Sequence, residues 1–489
     1  MIKTQEVELK LEVDPGDADA CRALDVLGDP KRRPVDQVTS YFDTPSGHLR
    51  KAGFSLRVRR RGRAYWQTVK HRGGEAGGFS SRAEWEKALT GPELDFAALA
   101  ATPVGALLSR RDMKKRLTKV SETRVHRTTW LVATGSSSVE VILDEGEVVS
   151  GTRQEPISEL ELELKRGNQA DLFALATQIG RHVAVRMGVN SKSERGFRLL
   201  EGHERRARKA QRVRLDEDME VAQAFAAIVQ SCLRHFRLNE GLISRESKGG
   251  PLHQARVAIR RLRSALSLFR TVVDGEDYDR LRDGLRRLGL CLGDARNLDV
   301  MLAAPGPAKD KAGRESRRRL RRERDAAYER VKNELSGSKI PCLILDIVAW
   351  AECGDWRASP AAQDPIGPFA IDRLDRRWKR VRRDSRQFDE LDAEARHQLR
   401  IDVKKLRYAC EFFAGLIPSA RRGDRKTFVS RLEAIQESLG KLNDIETARL
   451  LAPELDDARD ADRKGEAEAL LRETEQLLKG LRGLKPYWR

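Results

Sequence analysis

Glu6-Val7-Glu8-Leu9-Lys10 decides how the N-terminal part folds. Successive side chains of a β-strand point to opposite faces. Glu6, Glu8 and Lys10 therefore share one face, and Val7, Leu9 and Leu11 share the other. The pattern returns downstream, where Glu159, Glu161, Glu163 and Lys165 alternate with Leu160, Leu162 and Leu164. A third stretch carries the opposite charge, with Arg57 and Arg59 alternating with Leu56 and Val58. One such strand alone is most simply an amphipathic strand with a solvated face. Three of them, with clustered charge of both signs, point to bound ions, because like charges on neighbouring positions repel unless a counter-ion sits among them. Carboxylates suit divalent metal ions, which take oxygen ligands. Arginine and lysine suit phosphate oxygens.

Working outward, strand-like segments dominate from Met1 to about Gly202. They include residues 37–43, 54–60, 65–70, 82–86, 129–134 and 139–143, with a Gly-rich turn at 73–78. Helical spacing is expected over 17–27, 95–108 and 171–186. The sum is an antiparallel sheet or closed barrel with a few helices attached. If the sheet closes, the charged faces are tolerated inside only as a polar tunnel. Lys10, Arg57, Arg59, Lys70, Arg82, Arg127 and Lys192 then line it with positive charge, and Glu6, Glu8, Glu84, Asp144, Glu161 and Glu163 supply carboxylates. A triphosphate with two divalent cations balances both signs, and metals bridging phosphate oxygens beside basic residues are what phosphoryl transfer needs. Hydrolysis also needs a water near a carboxylate base or a metal ion.

The chain has 489 residues, enough for at least two domains. Its net charge of +19 is unevenly spread: residues 1–202 hold 33 Lys+Arg against 28 Asp+Glu, and the remainder 61 against 47. The C-terminal region should therefore attract a polyanion, and charge alone leaves inorganic polyphosphate, nucleic acid and an anionic membrane surface open. The six cysteines are scattered, without Cys-x-x-Cys spacing, and read as reduced thiols. No apolar run approaches the ~20 residues of a membrane span, so a soluble cytoplasmic protein is expected.

Beyond a basic, polar linker at 203–217 the periodicity is helical. Two segments repeat. His253-Gln254-Ala255-Arg256-Val257-Ala258-Ile259-Arg260-Arg261-Leu262-Arg263 aligns with His397-Gln398-Leu399-Arg400-Ile401-Asp402-Val403-Lys404-Lys405-Leu406-Arg407. At 3.6 residues per turn, His253, Arg256, Arg260 and Arg263 form one stripe beside an apolar stripe of Ile259, Leu262, Leu266 and Phe269. His397, Arg400, Lys404 and Arg407 form the second basic stripe, beside Val403, Leu406, Cys410 and Phe413. A salt-bridged helix face is the usual account of such a row. Its repetition, without matching acids inside the stripe, favours an anion-binding surface. Partner segments at 292–299 and 439–446 carry acids that can orient the rows, and Arg314 to Arg324 is a denser basic run.

The N-terminal motifs resemble the CYTH superfamily, the triphosphate tunnel metalloenzymes. The resemblance rests on Glu6-x-Glu8-x-Lys10, Tyr41-Phe42-Asp43-Thr44-Pro45, Phe54-x-Leu56-Arg57-Val58-Arg59, Thr68-Val69-Lys70, Glu159 to Leu164, and Ser191-Lys192-Ser193-x-Arg195-Gly196-Phe197. It implies metal ligation by Glu6, Glu8, Glu161 and Glu163, with Asp144 and Glu84 in support. It implies triphosphate binding by Lys10, Arg57, Arg59, Lys70, Arg82, Arg127 and Lys192, and catalytic roles for Glu6, Glu8 and Lys10. Arg124 competes with Arg127 for one place, Glu86 and Glu159 are either supporting or outward facing, and direct involvement is open for Glu159. The helical repeats resemble the CHAD domain, over roughly 218–489. That resemblance implies two pseudo-symmetric helical-bundle repeats whose basic rows (His253, Arg256, Arg260, Arg263, His397, Arg400, Lys404 and Arg407) bind inorganic polyphosphate. Asn297 stands where that family often has Asp, and Asp444 takes the matching place in the second copy.

The expected architecture is thus α+β: a CYTH tunnel domain at 1–202, a linker at 203–217 and a CHAD domain at 218–489. The expected activity is hydrolysis of inorganic triphosphate to pyrophosphate and phosphate with Mg²⁺ or Mn²⁺. Thiamine or nucleoside triphosphate hydrolysis and adenylate cyclisation are alternatives on the same fold, and a non-catalytic polyphosphate or nucleic-acid binder is a third. No clear aromatic stacking pair marks the tunnel mouth, which tilts toward an inorganic substrate. Nucleic acid is the weaker partner candidate, and the basic stripes lack the bulky apolar neighbours a membrane surface would need.

Overall fold

The computed structural model describes residues 1–31, 33–71, 78–110, 112–202, 206–245, 249–303, 311–451 and 460–489. Among the described residues nine strands form one sheet: β1 (Ile2–Val13), β2 (Val35–Asp43), β3 (Phe54–Arg61), β4 (Ala64–His71), β5 (Phe79–Leu89), β6 (Thr118–Thr134), β7 (Ser137–Ser150), β8 (Arg153–Arg166) and β9 (Val185–Met187). Their order is β5-β4-β3-β2-β6-β7-β8-β1-β9, and β5 also pairs with β1. That extra pairing closes eight antiparallel strands into a barrel and leaves β9 as a short addition beside β1. The antiparallel barrel with flanking helices, followed by a helical region, is the expected architecture.

Alternation places the apolar side chains outside the barrel. Leu9, Leu11, Val139, Val141, Leu160 and Leu162 are buried there. After short helices α1 (Ala18–Arg22), α2 (His48–Lys51), α3 (Phe96–Ala100) and α4 (Gly105–Leu108), α5 (Gln169–His182) covers part of that outer surface. Asn168 caps α5 by accepting from the Ala170 N–H at 3.0 Å. Leu172, Phe173, Leu175, Ala176 and Ile179 make its buried stripe, and the Phe173 ring meets Phe79 at 5.1 Å. Each of the leucine, isoleucine and phenylalanine side chains contributes about 1.5–3 kcal/mol when fully buried. Three helix expectations needed adjustment. Residues 95–108 form two helices, because Pro103 disfavours helical backbone at Thr102. The helix expected over 171–186 stops at His182, and Val185–Met187 joins β1 as β9. Residues 17–27 give only α1 flanked by single 3₁₀ turns. The expected turn at 73–78 lies mostly outside the described residues.

Helix α6 (Lys192–Leu200) seats directly on β6 and β7. A Cβ at Gly196 would stand 2.1 Å from Ser121 Oγ, so only glycine permits this approach. Ser191 and Glu194 form a capping box at the helix start.

The helices that follow are α7 (Val221–Arg245), α8 (Gly249–Val273), α9 (Glu276–Ala303), α10 (Lys311–Ser336), α11 (Lys339–Cys353), α12 (Pro360–Gln363), α13 (Ile366–Asp384), α14 (Ala393–Phe412), α15 (Arg422–Leu451) and α16 (Asp460–Arg482). The chain divides into two compact units. The first comprises Met1–Ala210, Val229–Leu262 and Gly275–Gly354, and the second comprises Gln211–Ile228, Arg263–Asp274 and Asp355–Arg489. The first unit thus holds the barrel with most of α7, part of α8, and α9–α11. Within the second unit, Phe269 packs against Phe225 at 5.1 Å and Phe369 at 4.8 Å. The apolar stripes read from the repeats are buried as expected: Ile259, Leu262, Leu266 and Phe269, and likewise Val403, Leu406, Cys410 and Phe413.

Candidate functional site

Strand register assembles the charged faces into one cavity. Glu6 lies opposite Arg82 on β5, while Glu8 and Lys10 lie opposite Glu163 and Glu161 on β8. Arg127 on β6 faces Asp144 on β7, and Asp144 faces Glu159 on β8. Lys70 faces Glu84, and Arg59 faces Trp66. These residues surround a cavity of ≈ 850 Å³ inside the barrel. Of the expected site residues, Glu6, Glu8, Lys10, Arg57, Arg59, Lys70, Arg82, Glu84, Arg127, Glu161, Glu163 and Lys192 line it. Asp144 sits just behind the wall, fully buried, and reaches the cavity through its partners.

Two ion-pair groups divide the lining. In one, Lys70 Nζ donates to both Glu6 carboxylate oxygens at 2.7 Å. Arg82 donates to Glu6 at 2.9 Å and to Glu8 at 2.7 Å, and Arg57 reaches Glu84 at 3.3 Å. Burial alone would raise the Glu6 carboxyl, but Lys70 and Arg82 outweigh it and hold it well below the usual range. In the other group, Lys192 Nζ lies 2.6 Å from Asp144, 2.6 Å from Glu159 and 2.8 Å from Glu161. Arg127 donates to Asp144 at 2.7 Å through Nε and reaches Glu161 at 3.3 Å. Burial would lower the Lys192 ammonium, yet the three carboxylates drive it well above its ordinary value. Glu161 is likewise held well below the carboxylate range by Lys192, Lys10 and Arg127 against the opposing effect of burial. Burial dominates at Glu159 and Glu163, whose carboxyls are raised.

Arg59 stands apart. Among the described residues it pairs with no carboxylate, and its buried Nε has no hydrogen-bond partner. Burial, with Arg57 and Arg127 alongside, pushes its guanidinium down to about 10. A half-buried cation lining a cavity and unpaired with any carboxylate among the described residues is a place for an anion.

Carboxylate oxygens of Asp144, Glu159 and Glu161 lie within 4.8 Å of one another. The donors are oxygen only, without thiolate or imidazole, which fits a hard cation such as Mg²⁺ or Mn²⁺. This grouping joins Glu159 to the expected Asp144 and Glu161, and Lys10 links it to Glu8, lying 3.7 Å from Glu161 and 3.5 Å from Glu8. The choice between Arg124 and Arg127 falls to Arg127, because Arg124 lies on the exposed outer surface with Glu122 and Glu147. Glu86 lines the cavity and accepts from Thr68 Oγ1 at 3.3 Å. Glu140, Lys87 and Lys165 also line it. Glu140 shares the face of Ile142 and Asp144 by simple alternation, a signal open to sequence reading. Tyr41 and Trp66 join the lining, so the cavity is not free of aromatic surface.

On α8, His253, Arg256 and Arg260 are half-buried and Arg263 is exposed, while all four members of the α14 row are half-buried. His253 is held below its ordinary value by burial and by Arg296, Arg260 and Arg256. His397 Nδ1 contacts Asn443 Oδ1 at 2.9 Å. The residues that meet the two histidines, Arg296 and Asn443, thus occupy matching places one position before Asn297 and Asp444. Asp299 is taken by Arg324 at 2.7 Å and by Tyr328 at 2.9 Å. Glu411, one turn beyond Arg407 on the same stripe, pairs with it at 2.5 Å, so that row does contain an acid. The Asp444 side chain lies outside the described residues. Among the described residues no helix is long and apolar enough to cross a membrane.

Comparison with known proteins agrees with this geometry. An inorganic triphosphatase of Haemophilus influenzae is 30% identical over 204 residues, covering 40% of this chain and 56% of that protein. The chain thus spans little more than half the length of that relative. The CHAD domain of the plant Ricinus communis is 29% identical with a TM-score of 0.47, over 57% of this chain and 97% of that one. A putative adenylyl cyclase from Hippeastrum with a dominant triphosphatase activity is 17% identical with a TM-score of 0.32, over 40% and 95%. Both TM-scores are below 0.5, so the assignment rests on two family matches. The family model of the CYTH domain matches residues 4–197 and that of the CHAD domain matches 227–453, so the chain carries an N-terminal CYTH domain followed by a CHAD domain.

Proposed function

We propose that the barrel is a metal-dependent triphosphatase that hydrolyses inorganic triphosphate to pyrophosphate and phosphate, and that the helical domain binds inorganic polyphosphate. The reading takes the tunnel domain as 1–202, the linker as 203–217 and the helical domain as 218–489. The observation that carries it is Arg59, a half-buried cation lining the cavity without a carboxylate partner among the described residues. The relative from Haemophilus influenzae supports the reaction class.

Arg57, Arg59, Lys70, Arg82, Arg127, Lys192 and Lys10 bind and orient the phosphate oxygens. Most of these cations are tied to Glu6, Glu8, Glu84, Asp144, Glu159 or Glu161 within the chain. Binding therefore exchanges partners: the basic groups turn to phosphate and the carboxylates are released. Glu6, Glu8, Glu84, Asp144, Glu161 and Glu163, with Glu159, are the groups that would hold Mg²⁺ or Mn²⁺. Such ions neutralise phosphate charge and lower the pKa of bound water. A carboxylate freed from its lysine or arginine takes the proton of the attacking water. Glu6, Glu8 and Lys10 carry the catalytic assignment. Trp66 in the lining favours, as a second reading, a triphosphate with an organic group stacked on the indole.

The test is turnover in Glu6→Ala and Lys10→Ala. Both should lose phosphate release while keeping the wild-type circular dichroism. Retained activity in either defeats the assignment.

A further inference from the structure

Two arginines on α7 reach the segment between β9 and α6. Arg237 Nε donates to the Met187 carbonyl at 2.9 Å, and its Nη2 meets Glu12 on β1 at 3.0 Å. Arg234, one turn earlier, donates to the Val189 carbonyl through Nη1 and to Glu194 Oε1 at 3.0 Å through Nη2. Both arginines belong to the same compact unit as the barrel. Arg237 is only 8% exposed. A charge buried to that degree is tolerated because it is paired and hydrogen-bonded.

The segment they hold touches two tunnel lysines. Gly188 N–H donates to the Lys10 carbonyl at 2.8 Å, and a Cβ at Gly188 would come within 2.7 Å of Lys10 Cγ. The Lys10 stem therefore rests on this backbone. At the other end, Glu194 uses Oε2 to accept the Ser191 N–H at 3.0 Å, while Ser191 Oγ accepts the Glu194 N–H at 3.2 Å. The capping box fixes the first turn of α6, and Lys192 is the first residue of that helix. Arg234 grips the other oxygen, Oε1, of the same Glu194 carboxylate. A small cavity of ≈ 30 Å³ lies beside it, with Lys10, Arg82, Gly188, Ser191 and Arg234 in its walls. Glu8, Lys10, Arg82 and Ser191 line both this cavity and the tunnel.

We infer that Arg234, backed by Arg237, is a positioning residue for Lys192 and Lys10, so that the first helix of the CHAD region completes the phosphate site of the tunnel. Neither arginine touches the reacting atoms. The inference rests on the triphosphatase reading for its kinetic consequence but not for its structural one. Misplacement of a binding group by about 1 Å can cost on the order of 100-fold in rate, and an indirect brace transmits part of that.

The experiment uses the full chain with Arg234→Met, which keeps the aliphatic stem, and Arg234→Lys, which keeps the charge. Phosphate release from inorganic triphosphate is measured well below the thermal transition, together with hydrogen–deuterium exchange over 187–196. Arg234→Met should lower kcat/KM by about 10-fold and speed exchange in that segment but not in β6 and β7. Arg234→Lys should recover part of both. In a Lys192→Met background the further kinetic loss from Arg234→Met should shrink to less than about twofold, as coupled sites require. Wild-type kcat/KM in Arg234→Met, or unchanged exchange over 187–196, overturns the inference. A wild-type protein that releases no phosphate from any triphosphate defeats the functional reading instead, and the exchange result then decides the brace by itself.

Discussion

Lys192→Met removes the cation at the centre of Asp144, Glu159 and Glu161. Its ammonium lies 2.6, 2.6 and 2.8 Å from the three carboxylates, with Asp144 fully buried and Glu159 1% exposed. At an effective dielectric constant of about 20, each contact is worth roughly 6 kcal/mol of gross attraction. Desolvation of both ions offsets most of this, and removing one partner of a buried pair costs about 3–5 kcal/mol net. The lower end applies here, because Arg127 still holds Asp144 at 2.7 Å and Arg195 still stands 3.6 Å from Glu159. A loss of about 3 kcal/mol shifts the melting point of a domain this size by roughly 6–12 °C. The pH dependence follows from sign. Glu159 is already raised by burial and loses its nearest cation, so the folded variant binds protons more readily than the unfolded chain. Stability of the variant therefore falls as pH rises through that folded pKa, and its deficit shrinks toward pH 5. Mg²⁺ or Mn²⁺ should restore part of the lost stability by replacing the missing charge. Differential scanning calorimetry from pH 5 to 8, with and without the metal, measures all three effects. A shift under about 2 °C, or a deficit independent of pH and metal, refutes the electrostatic account.

Other consequences follow from the same lining. Arg59→Met removes a cation that burial and its neighbours already disfavour, so it should leave thermal stability equal or raised while weakening inorganic triphosphate binding by at least about 10-fold in calorimetry. In the wild type, Glu6, Asp144 and Glu161 sit below their ordinary values of 4.5, 3.8 and 4.5, so the stability they contribute is complete above about pH 5 and is lost as acid titrates them. Thermal melts below pH 4 should show this loss in the barrel transition. Neutralising Arg256, Arg260, Arg400 and Lys404 together should abolish most polyphosphate affinity and flatten its salt dependence, while double-stranded DNA serves as the competing polyanion; unchanged polyphosphate binding excludes the two basic rows.

The tunnel was legible because its strands obey a period of two. Once Glu6-Val7-Glu8-Leu9-Lys10 is read as a strand, alternation alone assigns Glu161, Glu163, Arg57 and Arg59 to the same side, and Leu9, Leu160 and Leu162 to the packed side. Glu140 obeys the same rule through Ile142 and Asp144 and needed only to be counted. What alternation leaves out is closure and depth. Glu159 shares the phase of Glu161, yet its burial and its contact with Lys192 come from the pairing of β7 with β8 and from the seat of α6 on β6. Arg124 and Arg127 lie three residues apart, and only the twist and register of β6 decide which one enters. The helical repeats were legible by their 3.6-residue stripes, since Ile259 to Phe269 and Val403 to Phe413 are buried as spaced. Their partner segments at 292–299 and 439–446 were legible from their spacing after each repeat, and Asn443 of the second meets His397; the capture of Asp299 was not, because Arg324 and Tyr328 arrive from α10. Arg234 and Arg237 carry no periodic signal at all: their meaning depends on carbonyl groups at Met187 and Val189, some 45–50 residues away.

The central claim is that this barrel turns over a triphosphate. Phosphate release from inorganic triphosphate, thiamine triphosphate and ATP, each with Mg²⁺ or Mn²⁺ and after chelation, tests it most directly. The account predicts the highest kcat/KM for inorganic triphosphate, and none without a divalent cation. Release that is absent on all three substrates, or that persists undiminished after chelation, contradicts it.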